Sequence, residues 1–431
     1  MKIESLYLKN FRNVVEQTYT LNPHFTVFIG INGRGKSTWL HALRVACGAY
    51  FLAIPDTKKR HIIPDEIRQD GDKFLIQHTP VIVEAKGHFP ERQESVVWRR
   101  MVPMGKNFTT SSFTDVGIIR NLGKAKYDQM IAGSDDLDLP IVAFFGTSRV
   151  HGTGRVRGTR IGRQIFKEGY LNWLEMRSTV YRYDAWLTTY DVLAKQGKEY
   201  PHSERIFFET LQKANPYIKK IEFIGTELWL KVEIDDYFSD YLPIHLHSDG
   251  IVSFTEMVAE LAYRCIVLNG SKQENAIIET NGVVLIDEID LHLHPKWQRH
   301  VVADLKTAFP GIQFVATTHS PFIVQSLSKD ELINLDFVEE GEGLEQDPSN
   351  YGIEDVAEIE MGVEDVPRSE AFIERVEIAT KYYQLIAEGK TSKSDREVAQ
   401  LRAQLNAMEE QFSDDPAFVA TLRLEKNAAS L

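Results

Sequence analysis

Gly30-Ile31-Asn32-Gly33-Arg34-Gly35-Lys36-Ser37 spells G-x-x-x-x-G-K-S, and it stands between an apolar stretch, Phe25 to Ile29, and a helical segment that begins near Ser37. No other feature of the chain constrains its fold as strongly. A glycine-rich turn from a buried strand into a helix aims successive backbone N–H groups at one point, where an anion can sit at the helix N-terminus. The lysine adds a positive charge for β- and γ-phosphate oxygens, and the hydroxyl after it is a Mg²⁺ ligand by type. The pattern predicts that Asn32, Gly33, Arg34, Gly35, Lys36, Ser37 and Thr38 hold ATP or a similar triphosphate, with Mg²⁺ on Ser37. The alternative, a glycine-rich turn without a ligand, is disfavoured by the strand before it and the helix after it.

A second pattern agrees with the first. Val283-Val284-Leu285-Ile286-Asp287-Glu288 is a short apolar run that ends in two carboxylates. Such a run reads as a buried strand, with Asp287 at its carboxyl end as a Mg²⁺ ligand and Glu288 placed to polarise an attacking water. Phe314-Val315-Ala316-Thr317-Thr318-His319 then sets a histidine just past another buried strand. His319 is therefore a candidate γ-phosphate sensor, with a packed or solvated histidine as the alternative. We take Lys36, Glu288 and His319 as the catalytic set and Ser37 with Asp287 as the metal pair.

Around these motifs the chain reads as an α/β protein. Residues 1 to 29 hold two strands, one through Ile3, Leu6 and Leu8 and one through Phe25, Val27 and Phe28. Lys73 to Gln77, Val81 to His88 and Ser95 to Val102 alternate and predict a small antiparallel subdomain over about 72–102. Asn107 to Asp138 reads as polar and irregular. Pro140 to Phe145 is a fully apolar strand of the parallel-sheet kind. About 165–215 predicts a helical, aromatic-rich arm, and Ile218 to Leu246 returns to short strands. Ser253 to Val267 carries apolar residues at helical spacing, and strand, helix and strand follow through Thr317.

Charge separates the chain into two parts. From Asp336 to the end 23 acids stand against 9 bases, a balance of −14 that exceeds the −13 of all 431 residues and leaves the preceding part at +1. The near-neutral body is compatible with nucleic-acid contact and the acidic tail is not. In the tail, Phe372, Val376, Ala379, Tyr383 and Ile386, and then Val398, Leu401, Leu405, Met408 and Phe412, recur at helical spacing. They predict a helical hairpin, either a packed cap or a docking and oligomerisation surface. Ser394 with Glu397 suggests a capping box, and Pro416 suggests a further helix start. The two cysteines, Cys47 and Cys265, lack metal-ligand spacing and read as buried thiols of a reducing compartment. The N-terminus reads as a strand and no apolar run reaches the roughly 18 residues of a membrane span, so the expectation is a soluble cytoplasmic protein.

Taken with Leu6-Tyr7-Leu8-Lys9-Asn10-Phe11-Arg12-Asn13 at the start, these motifs resemble ABC-type ATPases of the RecF/SMC/OLD class. Ile286 to Pro295, Thr318 to Pro321, Ala143 to Arg149 and Met361-Gly362-Val363 are similar to the stand-alone bacterial branch, which includes PtuA-type ATPases of Septu anti-phage systems and ATPases of some retron systems. The resemblance implies an ABC-type ATPase head over 1–340, with a mainly parallel sheet, the antiparallel subdomain and the helical arm. It leaves 341–431 as an acidic helical docking or oligomerisation region. It also implies a signature element at Leu246-His247-Ser248-Asp249-Gly250, which would bind the γ-phosphate of ATP held by a second copy. His247 and Ile251 depart from the family pattern there.

A homodimer of heads, or a higher even-numbered homo-oligomer, follows from that implication. No nuclease constellation is present, so the resemblance further implies a separate, PtuB-like HNH nuclease subunit gated by nucleotide state. A DNA-repair or chromosome-maintenance ATPase of the RecF or SMC kind, an OLD-type nuclease with its own TOPRIM domain, a retron ATPase and a scaffold with little hydrolysis are the rival readings. Where the family carries a Q-loop glutamine, Arg149 stands, either to sense phosphate or Mg²⁺ or as a solvated side chain. Arg149, Arg155, Arg157, Arg160, Arg163 and Lys167, interrupted by glycines, form a basic stretch suited to DNA or RNA phosphates, to a lid over the site or to an acidic protein partner. His245, His247, His292, His294 and His300 read as structural rather than metal-binding.

Overall fold

The computed structural model describes residues 1–71, 75–106, 109, 113–134, 137–150, 165–176, 181–197, 199–234, 237–238, 240–337, 343–363, 370–387 and 396–411. The chain divides into two compact units, Met1–Gly362 and Val363–Leu431.

Five short parallel strands make the central sheet of the first unit, in the order Leu332–Asn334, Phe25–Ile29, Ile312–Thr317, Gly282–Ile286, Ile141–Phe145. All of them but Leu332–Asn334 are buried along their whole length. That burial explains their mainly apolar sequences, since a parallel sheet is covered on both faces. One of their buried polar residues ties the sheet to its neighbour. Gln313, wholly buried, accepts from Ile3 N at 2.7 Å and donates to Ile3 O at 2.7 Å, which locks the first strand of the chain onto the parallel sheet.

That first strand, Lys2–Phe11, belongs to a four-stranded antiparallel sheet with Val14–Thr20, Val81–His88 and Val96–Val102. The structure corrects two sequence expectations here. The segment 72–102 is not a subdomain with its own sheet, because Val81–His88 pairs directly with Lys2–Phe11 along its length. Val14–Thr20 is also a strand, missed because its residues are mostly exposed and polar and carry no apolar alternation. Within the same region Ile76–Gln77 pairs with Gln69–Asp70 in a two-residue ladder, and 72–74 lie outside the described residues.

A third correction concerns Asn107 to Asp138, where Phe113–Ile131 forms a helix of five turns. Two internal glycines weaken its sequence signal. One of them is there for packing: a Cβ on Gly123 would lie 2.2 Å from Tyr50 O, so only glycine lets this helix approach the chain so closely.

The helical arm resolves into Ile165–Gly169, Tyr183–Lys195 and Ser203–Ala214, and the short strands after it into Ile218–Ile224, Glu227–Ile234, Tyr237–Phe238 and Leu242–Pro243. The helix Asp249–Asn269 is buried over nearly its whole length. It carries an ion pair of zero exposure, Arg264 with Glu260 at 2.9 Å. The pair is tolerated because its remaining groups bond backbone: Glu260 accepts from Arg182 N at 2.6 Å, and Arg264 donates to Gly169 O and Leu171 O. Residues 343–361 pack with the first unit, so the compact body ends at Gly362 rather than at 340. Leu344 is only 3% exposed, and its N–H donates to the Glu360 carboxylate.

The second unit contains helices Glu370–Ala387 and Arg396–Gln411, which share a small core of Tyr382, Val398, Leu401 and Leu405. Ser394, Phe412 and Pro416 lie outside the described residues, as do Arg155, Arg157, Arg160 and Arg163 of the basic stretch. Both cysteines are buried and free. Among the described residues no helix is long and apolar enough to cross a membrane.

Candidate functional site

The carboxyl ends of three adjacent strands, Phe25–Ile29, Ile312–Thr317 and Gly282–Ile286, bring three distant motifs side by side. This is the edge of an open α/β sheet at which ligands bind. A cleft of about 310 Å³ opens there, lined by Asn13, Asn32, Gly33, Gly35, Lys36, Ser37, Thr38, Asp287, Glu288, Thr317 and His319.

The Gly30–Ser37 loop is braced from both flanks. Asn13, in the tight turn between the first two strands, donates from Nδ2 to Arg34 O at 2.9 Å and accepts from Thr38 Oγ1 at 3.1 Å. Gly35 adopts φ 99°, and a Cβ there would lie 2.6 Å from Asn13 Oδ1. On the other flank Asp336 accepts from Ile31 N at 2.7 Å and from Arg34 Nε at 2.8 Å. Lys36 is 8% exposed and donates to Gly30 O at 2.7 Å. Burial lowers its pKa, and the carboxylates of Asp336, Asp287, Glu288 and Asp290 pull the other way.

Opposite the loop, Asp287 Oδ1 accepts from Ser37 Oγ at 3.1 Å and from Thr317 Oγ1 at 2.6 Å. Thr317 Oγ1 in turn accepts from Glu288 N at 2.8 Å, so one hydroxyl sets both carboxylate residues. Glu288 is held at φ 49°, a left-handed conformation that is costly for a non-glycine residue and persists only where its surroundings enforce it. Arg149 supplies part of that enforcement by donating to Asp287 O and Glu288 O, each at 2.6 Å. Asp290 fixes the next element, accepting from Thr318 Oγ1 at 2.6 Å and from His319 N at 3.3 Å.

Nine of the expected site residues, Asn32, Gly33, Gly35, Lys36, Ser37, Thr38, Asp287, Glu288 and His319, thus line one cleft. Five do not. Arg34 points away to Asp336. Arg149 is 5% exposed and spends its guanidinium on backbone carbonyls, so it is neither solvated nor aimed into the cleft. Ser248, Asp249 and Gly250 begin the helix Asp249–Asn269 outside this chain's own cleft, with Ser248 exposed and its hydroxyl making no capping bond. Gly250 packs so tightly that a Cβ would lie 2.2 Å from His292 O, which ties this helix start to the segment after Glu288.

Asn13, Thr317 and Asp336 were missed as site residues. Only Asn13 carried a local signal, its place at the end of the Leu6–Asn13 motif. Among the described residues no group of three or more His, Cys, Asp and Glu side chains forms a metal centre. His245 instead pairs with Glu227 at 2.6 Å, and His294 caps Lys296 N at 3.3 Å.

Comparison with known proteins adds the family. Residues 5–233 match a family model described as "AAA domain", and residues 174–325 match one described as "AAA domain, putative AbiEii toxin, Type IV TA system". The chain is 41% identical over 85 residues to the retron Vc95 probable ATPase of Vibrio cholerae serotype O1 biovar El Tor, covering 20% of this chain and 16% of that protein. It is 35% identical over 127 residues to the Septu protein PtuA of Bacillus thuringiensis, covering 28% and 31% respectively. The matches therefore span less than a third of either relative's length. Among solved structures, an Smc head bound to the C-winged helix domain of ScpA aligns at 18% identity with a TM-score of 0.47, covering 78% of this chain and 94% of that one.

Proposed function

This chain belongs to the AAA-domain family, and we propose that it is the ATP-binding and ATP-hydrolysing regulatory subunit of an anti-phage defence complex of the PtuA kind. The observation that carries the reading is the convergence of Lys36, Ser37, Asp287, Glu288 and His319 on one cleft.

Each residue has a defined task. Backbone N–H groups of 33–38 and the Lys36 ammonium bind the β- and γ-phosphates. Ser37 Oγ and Asp287 Oδ1, 3.1 Å apart, are hard oxygen donors that suit Mg²⁺ with water and phosphate oxygens completing its shell. Bound there, Mg²⁺ would supply positive charge to the triphosphate. Glu288 orients a water for attack on the γ-phosphorus and takes its proton, while the bond to the β–γ bridging oxygen breaks to leave ADP and phosphate. Thr317 and Arg149 keep Glu288 in its left-handed conformation for that task, and His319 contacts the γ-phosphate.

The exposed Ser248 hydroxyl and the N-terminus of its 21-residue helix fit the γ-phosphate of a second copy. Two heads would then share two nucleotides, in a homodimer or a larger even-numbered assembly. Nucleotide state would gate a separate HNH-type nuclease, with the acidic helical second unit as its docking or oligomerisation surface. The probable-ATPase and Septu relatives support the defence setting.

The test compares wild type with Lys36→Ala and Glu288→Gln. Lys36→Ala should lose ATP binding. Glu288→Gln should keep binding, hydrolyse roughly 100-fold more slowly or worse, and accumulate as an ATP-dependent dimer by light scattering. Unchanged hydrolysis in Lys36→Ala would overturn the assignment. Specific binding to gapped DNA, with no nuclease co-purifying, would favour the RecF-like reading.

A further inference from the structure

The flank of the phosphate loop that faces away from the cleft is held by the carboxylate of Asp336, two residues past the edge strand Leu332–Asn334. Its Oδ2 accepts from Ile31 N at 2.7 Å and its Oδ1 from Arg34 Nε at 2.8 Å, so one side chain grips the loop at two points three residues apart. The approach is close enough that a Cβ on Gly30 would lie 3.3 Å from Asp336 Oδ2. Asp336 does not line the cleft, so it bears on the phosphates through the loop it holds and through its charge on Lys36, not by contact.

From Asp336 a line of hydrogen bonds runs into residues 343–361. Asp336 N donates to Asn334 Oδ1 at 3.0 Å, and Asn334 Nδ2 donates to Glu360 O at 2.6 Å. The Glu360 side chain, 6% exposed, accepts from Leu344 N at 2.8 Å. The same segment is also held from the elements that follow His319. The helix Pro321–Gln325, which starts two residues after His319, donates from Gln325 Nε2 to Tyr351 O at 2.8 Å. Lys329 adds a bond from Nζ to Leu344 O at 3.0 Å. Two elements of the candidate site that follow adjacent strands, the Gly30–Ser37 loop and the His319 turn, therefore converge on one segment. That segment leads directly into the second unit at Val363.

We propose that Asp336 is a positioning residue for the phosphate loop, and that residues 343–361 are the part of the head that responds to nucleotide through it. The proposal rests on the nucleotide reading above. Phosphate in the loop restricts Ile31 and Arg34 to the arrangement in which Asp336 is bonded, and the bonds of Asn334 and Glu360 are then made more of the time. Linkage requires the converse: releasing Asp336 must weaken nucleotide binding.

Hydrogen exchange read by mass spectrometry, with and without a saturating non-hydrolysable ATP analogue and Mg²⁺, tests this in the full chain. In wild type the analogue should slow exchange within 343–361 at least about threefold. Asp336→Ala should bind a fluorescent form of the analogue about tenfold more weakly and lose the exchange response even at saturation. Asp336→Asn keeps an acceptor for Ile31 N and should retain most of the affinity. Asn334→Ala leaves the loop's brace in place, so it should bind within about threefold of wild type while losing the response; this variant and Asp336→Asn carry the test if Asp336→Ala does not fold. Wild-type affinity in Asp336→Ala, or a saturated wild-type protein with unchanged exchange in 343–361, would overturn the proposal alone. A wild-type chain that binds no analogue would remove the nucleotide reading as well.

Discussion

Thr317→Val isolates the contribution of one hydroxyl to the whole carboxylate pair. Thr317 is 1% exposed and lies at the end of a central strand, so an isosteric, β-branched replacement keeps the strand's packing and removes only the oxygen. Two hydrogen bonds go with it, from Thr317 Oγ1 to Asp287 Oδ1 at 2.6 Å and from Glu288 N to Thr317 Oγ1 at 2.8 Å. The first, to a charged acceptor, is worth about 2 kcal/mol and the second about 1 kcal/mol. If both serve to hold Asp287 and Glu288 in the geometry used at the transition state, a loss of about 3 kcal/mol lowers kcat roughly 100-fold. KM for ATP should move much less, because the loop and Lys36 are untouched. Steady-state phosphate release gives both numbers, a thermal melt verifies folding, and Thr317→Ser should restore most of the rate by returning the oxygen. A folded valine variant with kcat within about threefold of wild type would refute the reasoning, since the pair would then be set by other contacts.

Four further outcomes follow from the same structure. Asn13→Ala removes the brace on Arg34 O and Thr38, and should raise the Kd for an ATP analogue roughly fivefold to tenfold. Arg149→Lys offers one ammonium where a guanidinium spans Asp287 O and Glu288 O, and should lower kcat about tenfold while leaving analogue binding near wild type. Gly250→Ala sets a methyl 2.2 Å from His292 O, so it should abolish ATP-dependent dimerisation measured by light scattering in the Glu288→Gln background without preventing binding to single heads. Asp304, beside Tyr217, Phe254 and Trp297, has its carboxyl pushed up to about 6 by burial. Its charged form is disfavoured in the fold, so stability is lost as pH rises from the ordinary carboxyl value through 6. Asp304→Asn should therefore raise Tm by about 2 °C at pH 8, roughly 1 kcal/mol after allowing for solvent screening, and give no gain at pH 4.

What the sequence disclosed and what it withheld divide along contact range. The phosphate loop, the Asp287-Glu288 pair and His319 were legible because each chemistry-bearing residue sits directly after its own buried strand, and an apolar run that ends in a polar group is a local pattern. The strands that hold them were legible for the same reason. The antiparallel sheet was misjudged because Val81–His88 takes as its partner a strand that begins at Lys2, some eighty residues earlier, and no alternation pattern names its partner. The helix Phe113–Ile131 was hidden by Gly123, whose presence answers to Tyr50 rather than to helix propensity.

The residues that prepare the site are a different class. Asp336 reaches back 305 positions to Ile31, Arg149 reaches forward 138 to Asp287, and Thr317 meets Asp287 across 30. Each of these side chains is an ordinary polar residue until the fold has formed. Its role is to bond backbone or another side chain, a task that many residue types perform and that leaves no spacing signature. Chemistry in this chain is therefore written locally, and its geometry is written only in tertiary structure. The same division predicts how the two classes respond to substitution. Lys36 or Glu288 replaced by any other residue removes a chemical function, so no conservative variant should restore it. Asp336, Thr317 and Arg149 supply position alone, so Asp336→Asn and Thr317→Ser, which keep an acceptor or donor in place, should recover most of what Asp336→Ala and Thr317→Val lose. A Thr317→Ser or Asp336→Asn variant as impaired as its apolar counterpart would move that residue from the positioning class into the chemical one.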